Sequence, residues 1–345
     1  MAKERKGPLT REDVLKLIKE NGGKTEGLNF VGKTFVEAID LSGLDLHGVM
    51  FKGVRFPTHA ERGQLVGARF DGSDLTGANL SDIDFEYAQF KKLNNQPTRL
   101  ARVDLRGSWL LDANFQGAYL RGAIFGEVPE EVGQPAMLDG TDLRGADLVR
   151  ATFKGCHFIK TKLEGAYIRG TDIFDAHLEE IEWGNYRIGE ENKKGELHSA
   201  ESIYRQLKQW YTNVGIYDVA GEFFFREMEA KRRGQSWKPH PRHRLWLNIH
   251  AFVSGYGERL PRVIRWSAIW IFGLAVIYYL ISATWSLSAV WDSLYFSMVS
   301  FTAVGYGSWV NATNEWMKGI GALESFVGVF TIALFLVTFT RKMRR

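Results

Sequence analysis

The chain has 345 residues, with 44 Lys and Arg against 40 Asp and Glu, which is room for two or three domains and no strong charge bias. Its single cysteine excludes a disulfide framework and a cysteine zinc site. Polarity is unevenly spread: residues 1–260 are polar and glycine-rich, whereas charges almost vanish from Trp266 until the closing "RKMRR".

The opening "MAKERKGPLTREDV" lacks the apolar run of a secretory signal, so the long polar part is expected to stay in the cytoplasm. "TREDVLKLIKENGG" predicts a helix with Thr10 as N-cap, Asp13 at the third helical position and Gly22 past the end. It would cap whatever follows, giving a first segment over residues 1–27.

From Leu28 to Trp183 an apolar residue returns every fifth position, most plainly Leu138, Leu143, Leu148, Phe153, Phe158, Leu163, Ile168, Ile173 and Leu178. Earlier runs include Leu65 to Phe90 and Leu100 to Phe125, and small residues such as Ala68, Ala113, Ala146 and Ala151 sit two places before many of them. An α-helix would turn such a stripe by roughly 140° at each repeat, and a flat strand would send alternate repeats to opposite faces. A chain that turns a corner at every repeat keeps all of these residues on an enclosed axis. The stretches "ADLVRATFKG" and "GANLS" resemble the pentapeptide-repeat family, A(D/N)LXX. The resemblance implies a right-handed quadrilateral β-helix with four repeats per coil over residues 28–183. Breaks at Pro57 to Gln64, Lys91 to Arg99 and Gly126 to Met137 read as loops leaving the coil. Cys156 falls on an inward small-residue position and reads as a core side chain. Outward positions mix Arg, Lys, Asp and Glu, so a DNA mimic is disfavoured, no nucleic acid is expected, and the repeats read as a docking or scaffold surface for a protein partner.

Residues 184–265 form a connector. "SAESIYRQLKQWYTNVGIYDVAGEFFFREMEAKRRG" predicts two amphipathic helices broken near Asn213 to Tyr217, one facing inward with Ile203, Leu207, Trp210 and Tyr211, the other with Val219, Phe223, Phe224 and Met228. Nine Lys and Arg between Lys231 and Arg265, opposed there by Glu258 alone, suggest contact with anionic lipid headgroups, and "HRLWLNIHAFVSGYG" suggests a helix lying on that surface. His240, His243 and His250 are a poor metal set, because Pro239 and Pro241 break their spacing and no carboxylate is near. "SGYGE" at Ser254 to Glu258 reads as a loop.

Residues 266–345 hold two apolar spans, about 266–285 and about 319–340, each long enough to cross a hydrocarbon core of about 30 Å. Arg262 and Arg265 precede the first, Arg341, Lys342, Arg344 and Arg345 follow the second, and no Lys or Arg occurs from Trp266 to Met317. By the positive-inside rule both termini are cytoplasmic. Trp266 would mark the inner interface, with Trp285, Trp291, Trp309 and Trp316 at the outer one. Between the spans, "WDSLYFSMVSF" predicts a short helix over about 291–301 that enters the membrane and stops halfway.

The next stretch, "TAVGYGS", resembles the potassium-channel selectivity filter T-V-G-Y-G, and span, re-entrant pore helix, filter and second span together resemble the two-transmembrane pore module. The resemblance implies that backbone carbonyls of Thr302, Ala303, Val304, Gly305, Tyr306 and Gly307 hold K+, with ions at Ala303, Val304, Gly305 and Tyr306. Glycines permit backbone that aims successive carbonyls at one axis. One chain supplies a quarter of each ring, so a homotetramer is implied, in a bacterial inner (plasma) membrane. Three departures stand out: Ala303 replaces the usual threonine, Ser308 the common Asp, and Val299 a carboxylate found in some members. Tyr295, Ser308, Trp309 and Glu324 are candidate filter supports, Glu324 through a hydrogen bond to the pore helix or loop of its own or a neighbouring subunit. Gly328 is a hinge or a close-packing position, and Phe335 and Phe339 narrow the inner mouth or face lipid.

The reading is therefore a multidomain chain: capping helix, β-helix, α-helical connector, and an all-α membrane pore conducting K+ passively. Non-selective cation conduction, or a membrane-anchored scaffold with a vestigial pore, are the alternatives. No arginine-striped span, G-x-G-x-x-G unit or EF-hand loop supplies a conventional gating module. No catalytic constellation is present, so an enzyme is not expected, and no cofactor beyond filter K+ is.

Overall fold

The computed structural model describes residues 7–36, 39–54, 56, 63–128, 133–173, 175–193, 195–236, 241–282, 286–305 and 315–343. It divides into two compact units, Met1–Gln206 and Leu207–Arg345.

The first unit begins with helix α1, Arg11–Glu20, capped as the sequence predicts: the Thr10 hydroxyl accepts from the Asp13 N–H, and the Asp13 carboxylate accepts from the Thr10 N–H. Asn21 closes it, and Gly22 follows at φ 70°.

Pentads then wind into a parallel ladder. Bridges join Asp142 to Lys162, Asp147 to Tyr167, Thr152 to Asp172, His157 to His177 and Lys162 to Glu182, each pair 20 positions apart, so a coil takes four pentads. The residues at every fifth position face the axis: Leu65, Phe70, Leu75, Leu80, Leu105, Phe115, Leu138 and Leu148 are buried, as are the alanines two places before the next large residue. Phenylalanines stack up the axis, Phe70 on Phe90 at 5.1 Å and Phe90 on Phe115 at 4.4 Å between ring centroids.

The corner chemistry explains the remaining letters of the repeat. Two residues after most of the large apolar residues the backbone enters the left-handed region, at Gly67, Gly72, Gly77, Gly117 and Gly145 but also at Asp82, Arg102 and Arg150. A turn with positive φ at its third residue favours glycine. The Asp or Asn before the apolar residue caps the corner, as when Asp142 Oδ1 accepts from the Arg144 N–H at 3.1 Å and Asn79 Oδ1 from the Ser81 N–H at 3.0 Å. Arg144 returns a two-pronged bond to the Asp142 carboxylate, Nε to Oδ1 at 2.9 Å and Nη2 to Oδ2 at 2.6 Å.

Insertions lengthen a coil without losing register. Asp74 pairs with Arg99, 25 positions on, and Asn114 with Asp142, 28 positions on. The first insertion is a hairpin: Leu93 and Gln96 exchange backbone bonds around Asn94 and Asn95, at φ 48° and 65°. The predicted loop at Pro57 to Gln64 lies mostly outside the described residues, as does the middle of the one at Gly126 to Met137. Cys156 is buried on the axis, which pushes its thiol up to about 12.

A 3-10 turn, Gly189–Asn192, follows the last described coil bridge. Its buried Glu190 accepts from the Arg169 N–H at 2.7 Å, and the buried Tyr204 hydroxyl accepts from the Ile188 N–H and donates to Glu191. These side chains satisfy backbone donors that no further coil would reach.

The unit boundary falls within helix α2, Leu197–Val214, which precedes helix α3, Tyr217–Gly234. In the second unit Tyr211 stacks on Phe223 at 5.6 Å, and Lys208 pairs with Glu227 at 2.7 Å. Trp210 is only half-buried, whereas Phe225, which the amphipathic reading omits, is buried. Helix α4 is Pro241–Val253, α5 Leu260–Ile281, α6 Leu287–Thr302 and α7 Glu315–Met343.

Candidate functional site

The site is built from α5, α6 and α7, which pack on one another around Tyr278, Phe296 and Met317. Helices α5 and α7 are long and apolar enough to cross a membrane. Helix α5 starts six residues before the predicted span and ends at Ile281 rather than residue 285, so Arg262 and Arg265 lie inside its first turns. Pro261 in the first turn is the signal the hydropathy reading passed over.

Helix α6 is also longer than predicted, 16 residues from Leu287 rather than about ten from Trp291. Ser286 caps it, its hydroxyl accepting from the Ala289 N–H at 3.2 Å. At 1.5 Å per residue its length is about 24 Å, still short of a crossing.

Three contacts hold α6. Near its middle, Ser297 Oγ stands 2.5 Å from Glu324 Oε1 of α7 and 2.9 Å from the Ile271 carbonyl oxygen of α5. The Tyr278 hydroxyl of α5 donates to the other oxygen of Glu324 at 2.7 Å, and Glu324 is fully buried. At the C-terminal end, the Ser325 hydroxyl donates to the Ser300 carbonyl at 2.8 Å. One turn on, Gly328 lies so close to Phe301 that any Cβ would overlap the Phe301 carbonyl.

Beyond α6 the backbone leaves helical geometry. Thr302 is the last helical residue, its hydroxyl bonded back to the Met298 carbonyl at 2.8 Å. Ala303 is left-handed, φ 54° and ψ 24°, Val304 is 80% exposed, and Gly305 has φ 97°. A β-branched residue would resist the conformation that Ala303 adopts.

Against known proteins, residues 266–345 match the family described as ion channel, and residues 64–94, 98–128 and 136–173 match pentapeptide repeats, in eight copies. The chain joins pentapeptide repeats to an ion-channel domain. Solved structures similar to the repeats include HetL, a pentapeptide repeat protein involved in heterocyst differentiation regulation from Nostoc sp. strain PCC 7120. HetL is 22% identical, with 50% of this chain and 96% of HetL covered and a TM-score of 0.17. Rfr23 from the cyanobacterium Cyanothece 51142 is 24% identical over 41% of this chain and 86% of its own, at a TM-score of 0.24. QnrB1, a plasmid-mediated fluoroquinolone resistance protein, is 20% identical over 42% of this chain and 72% of its own, at a TM-score of 0.24. No curated protein matches the chain.

Within the ion-channel domain the structure brings Glu324, Ser325 and Gly328 of one helix against α6. Glu324 meets the short helix of its own chain through Ser297, and Ser297 and Tyr278 are the partners that sequence reasoning missed. Each is a polar residue in an apolar helix, the signal that could have found them. Tyr295 lies on α6 and is 43% exposed. Phe335 and Phe339 stack at 5.9 Å on α7. Tyr306, Gly307, Ser308 and Trp309, and likewise Trp285, lie outside the described residues, as do Lys238, Pro239, His240, Arg344 and Arg345. Trp291 and Trp316 are exposed.

Several arginines of the connector find partners within the chain. Arg259 pairs with Glu222 at 2.6 Å, Arg232 with Glu229 at 2.8 Å, and Arg262 donates to the Ala251 carbonyl at 2.7 Å. Arg259 and Arg262 also lie over the Phe225 ring at 4.7 and 5.4 Å. These cations hold the turn at Ser254 to Glu258, where Tyr256 is buried beside Glu229 and its phenol is pushed up to about 12, first by burial. Carboxylates of α3, outside the basic run itself, supply the partners. Helix α4 instead presents an apolar exposed stripe, Leu245, Trp246, Ile249 and Phe252, and Phe252 meets Trp266 of α5 edge-on at 4.9 Å. His250 stands against Trp246, and no metal-binding group of three or more occurs among the described residues.

Proposed function

We propose that the protein is a homotetrameric potassium channel whose filter is residues 302–307 and whose pentapeptide repeats form a right-handed quadrilateral β-helix on the cytoplasmic side. Helix α6 is then a re-entrant pore helix in a bacterial inner membrane. The observation that carries this reading is the end of α6: in a domain matching ion channels, a helix too short to span is anchored to two helices long and apolar enough to do so and runs into left-handed backbone at Ala303 and Gly305, immediately before Tyr306 and Gly307 in the sequence. Four such segments supply rings of carbonyls that replace a cation's hydration shell. Helix α4 lies on the inner membrane surface with its exposed stripe among the lipids, continuous with Trp266. The β-helix is a docking surface, and the chain is not an enzyme.

A non-selective pore is the second reading, favoured by Ala303, which removes the ring of threonine hydroxyls from the innermost ion site. Flux into liposomes holding the purified protein separates the two. The expected result is K+ flux, absent with Na+ alone and abolished by Gly305→Asp. Equal flux of both ions moves the conclusion to the non-selective pore, and none in either ion with any lipid overturns conduction.

A further inference from the structure

The hydrogens around Glu324 do not add up if its carboxyl is ionised. Ser297 Oγ lies within hydrogen-bonding distance of two oxygens, Glu324 Oε1 at 2.5 Å and the Ile271 carbonyl at 2.9 Å, and a serine hydroxyl owns one hydrogen. A carbonyl oxygen has none to give. Were the serine hydrogen directed to an ionised Glu324, Ser297 would face the Ile271 carbonyl lone pair to lone pair across that short gap. Were it directed to Ile271, the serine oxygen would face a carboxylate oxygen in the same way. Either arrangement places two acceptors against each other in a buried site.

We propose that Glu324 is a neutral carboxylic acid that donates from Oε1 to Ser297, which donates onward to the Ile271 carbonyl, while Oε2 accepts from the Tyr278 hydroxyl. Every contact then has one donor and one acceptor, and the hydrogens run in a single direction from α7 through α6 to α5. The surroundings agree. Glu324 is fully buried, aromatic rings of Tyr278 and Phe296 meet beside it at 4.8 Å, and it makes no ion pair among the described residues. An unpaired carboxylate is among the costliest groups to hold there, whereas an acid that both donates and accepts is satisfied. The chain of hydrogen bonds fixes α6 at its middle, which makes Glu324 and Ser297 positioning residues for the segment that follows α6. That last step rests on the channel reading; the protonation itself does not.

The test is infrared spectroscopy of the full-length protein in lipid at neutral pH, as wild type minus Glu324→Gln. The expected difference is a carboxylic-acid C=O stretch that shifts down in deuterated water, is lost in E324Q, and is retained in Glu190→Gln, which removes a buried carboxyl of the turn that follows the repeats. Tyr278→Phe provides a second reading should E324Q fail to fold: losing the bond to Oε2 moves the same band to higher wavenumber. A spectrum with no acid band that responds to either substitution overturns the proposal. Because the band is read without ion flow, a protein that carries the acid band and conducts nothing fails the channel reading alone.

Discussion

Glu190 shows how a single side chain can close a repeat at a pH-dependent cost. Burial is the main influence and pushes its carboxyl above the ordinary range, while backbone N–H groups including that of Arg169 pull the other way. A carboxyl that holds its proton more tightly in the folded state contributes stability that is complete below the unfolded range, around pH 4, and that is lost as pH rises through the folded value. Glu190→Gln keeps an acceptor for the Arg169 N–H and cannot ionise. It is expected to flatten the pH dependence of denaturant unfolding between about pH 5 and about pH 8 and to be the more stable protein at the upper end. A variant less stable than wild type by the same margin at both values would show that the charge is immaterial. Asp142 runs in the opposite direction. Burial raises it, but the Arg144 side chain and backbone N–H outweigh that and hold it below the ordinary range, so its contribution is present at neutral pH and fades in acid.

At the scale of elements, the short helix α6 is positioned by what α7 lacks as much as by what it carries. Gly328 has no side chain, and the Phe301 carbonyl occupies the space. Gly328→Ala is expected to displace the end of α6 and to destabilise the protein by about 1–3 kcal/mol, the usual cost of overpacking, read as a fall in thermal midpoint in detergent. An unchanged midpoint would mean that α7 shifts freely along α6. Sequence periodicity made the solenoid legible because every pentad repeats one burial decision, and Phe70, Leu105 and Leu148 all lie where their spacing puts them. The extent of α6 was not legible from hydropathy, since Leu287 to Val290 are as apolar as a loop at a membrane interface and only the Ser286 cap marks the start. Glu324 announced itself as an ionisable residue in an apolar run. Its partners lie 46 and 27 positions away, on Tyr278 and Ser297, a pairing that only the packed helices reveal. Arg259 likewise read as surface charge until Glu222, 37 positions away, was brought beside it.

On the scale of the whole molecule, the proposal that α4 lies on the membrane surface can be tested in the second unit. Trp246 is 59% exposed on a stripe with Leu245, Ile249 and Phe252, directly before the first apolar helix. In vesicles containing brominated lipids, the fluorescence difference between wild type and Trp246→Phe is expected to be quenched most by bromines near the headgroup end of the chain. Quenching by deep bromines only, or by none, would remove α4 from the interface. The first unit obeys a simpler geometry. Because 20 residues make one coil and five make a quarter of it, the solenoid works as an indexing wheel: cutting out one pentad carries every later outward side chain to the adjacent side, whereas cutting out four shortens the column and leaves each side facing as before. Length and facing are thus set by separate arithmetic, and an evolving gene can change the side on which a given surface lies by gaining or losing fifteen bases, without designing a new surface.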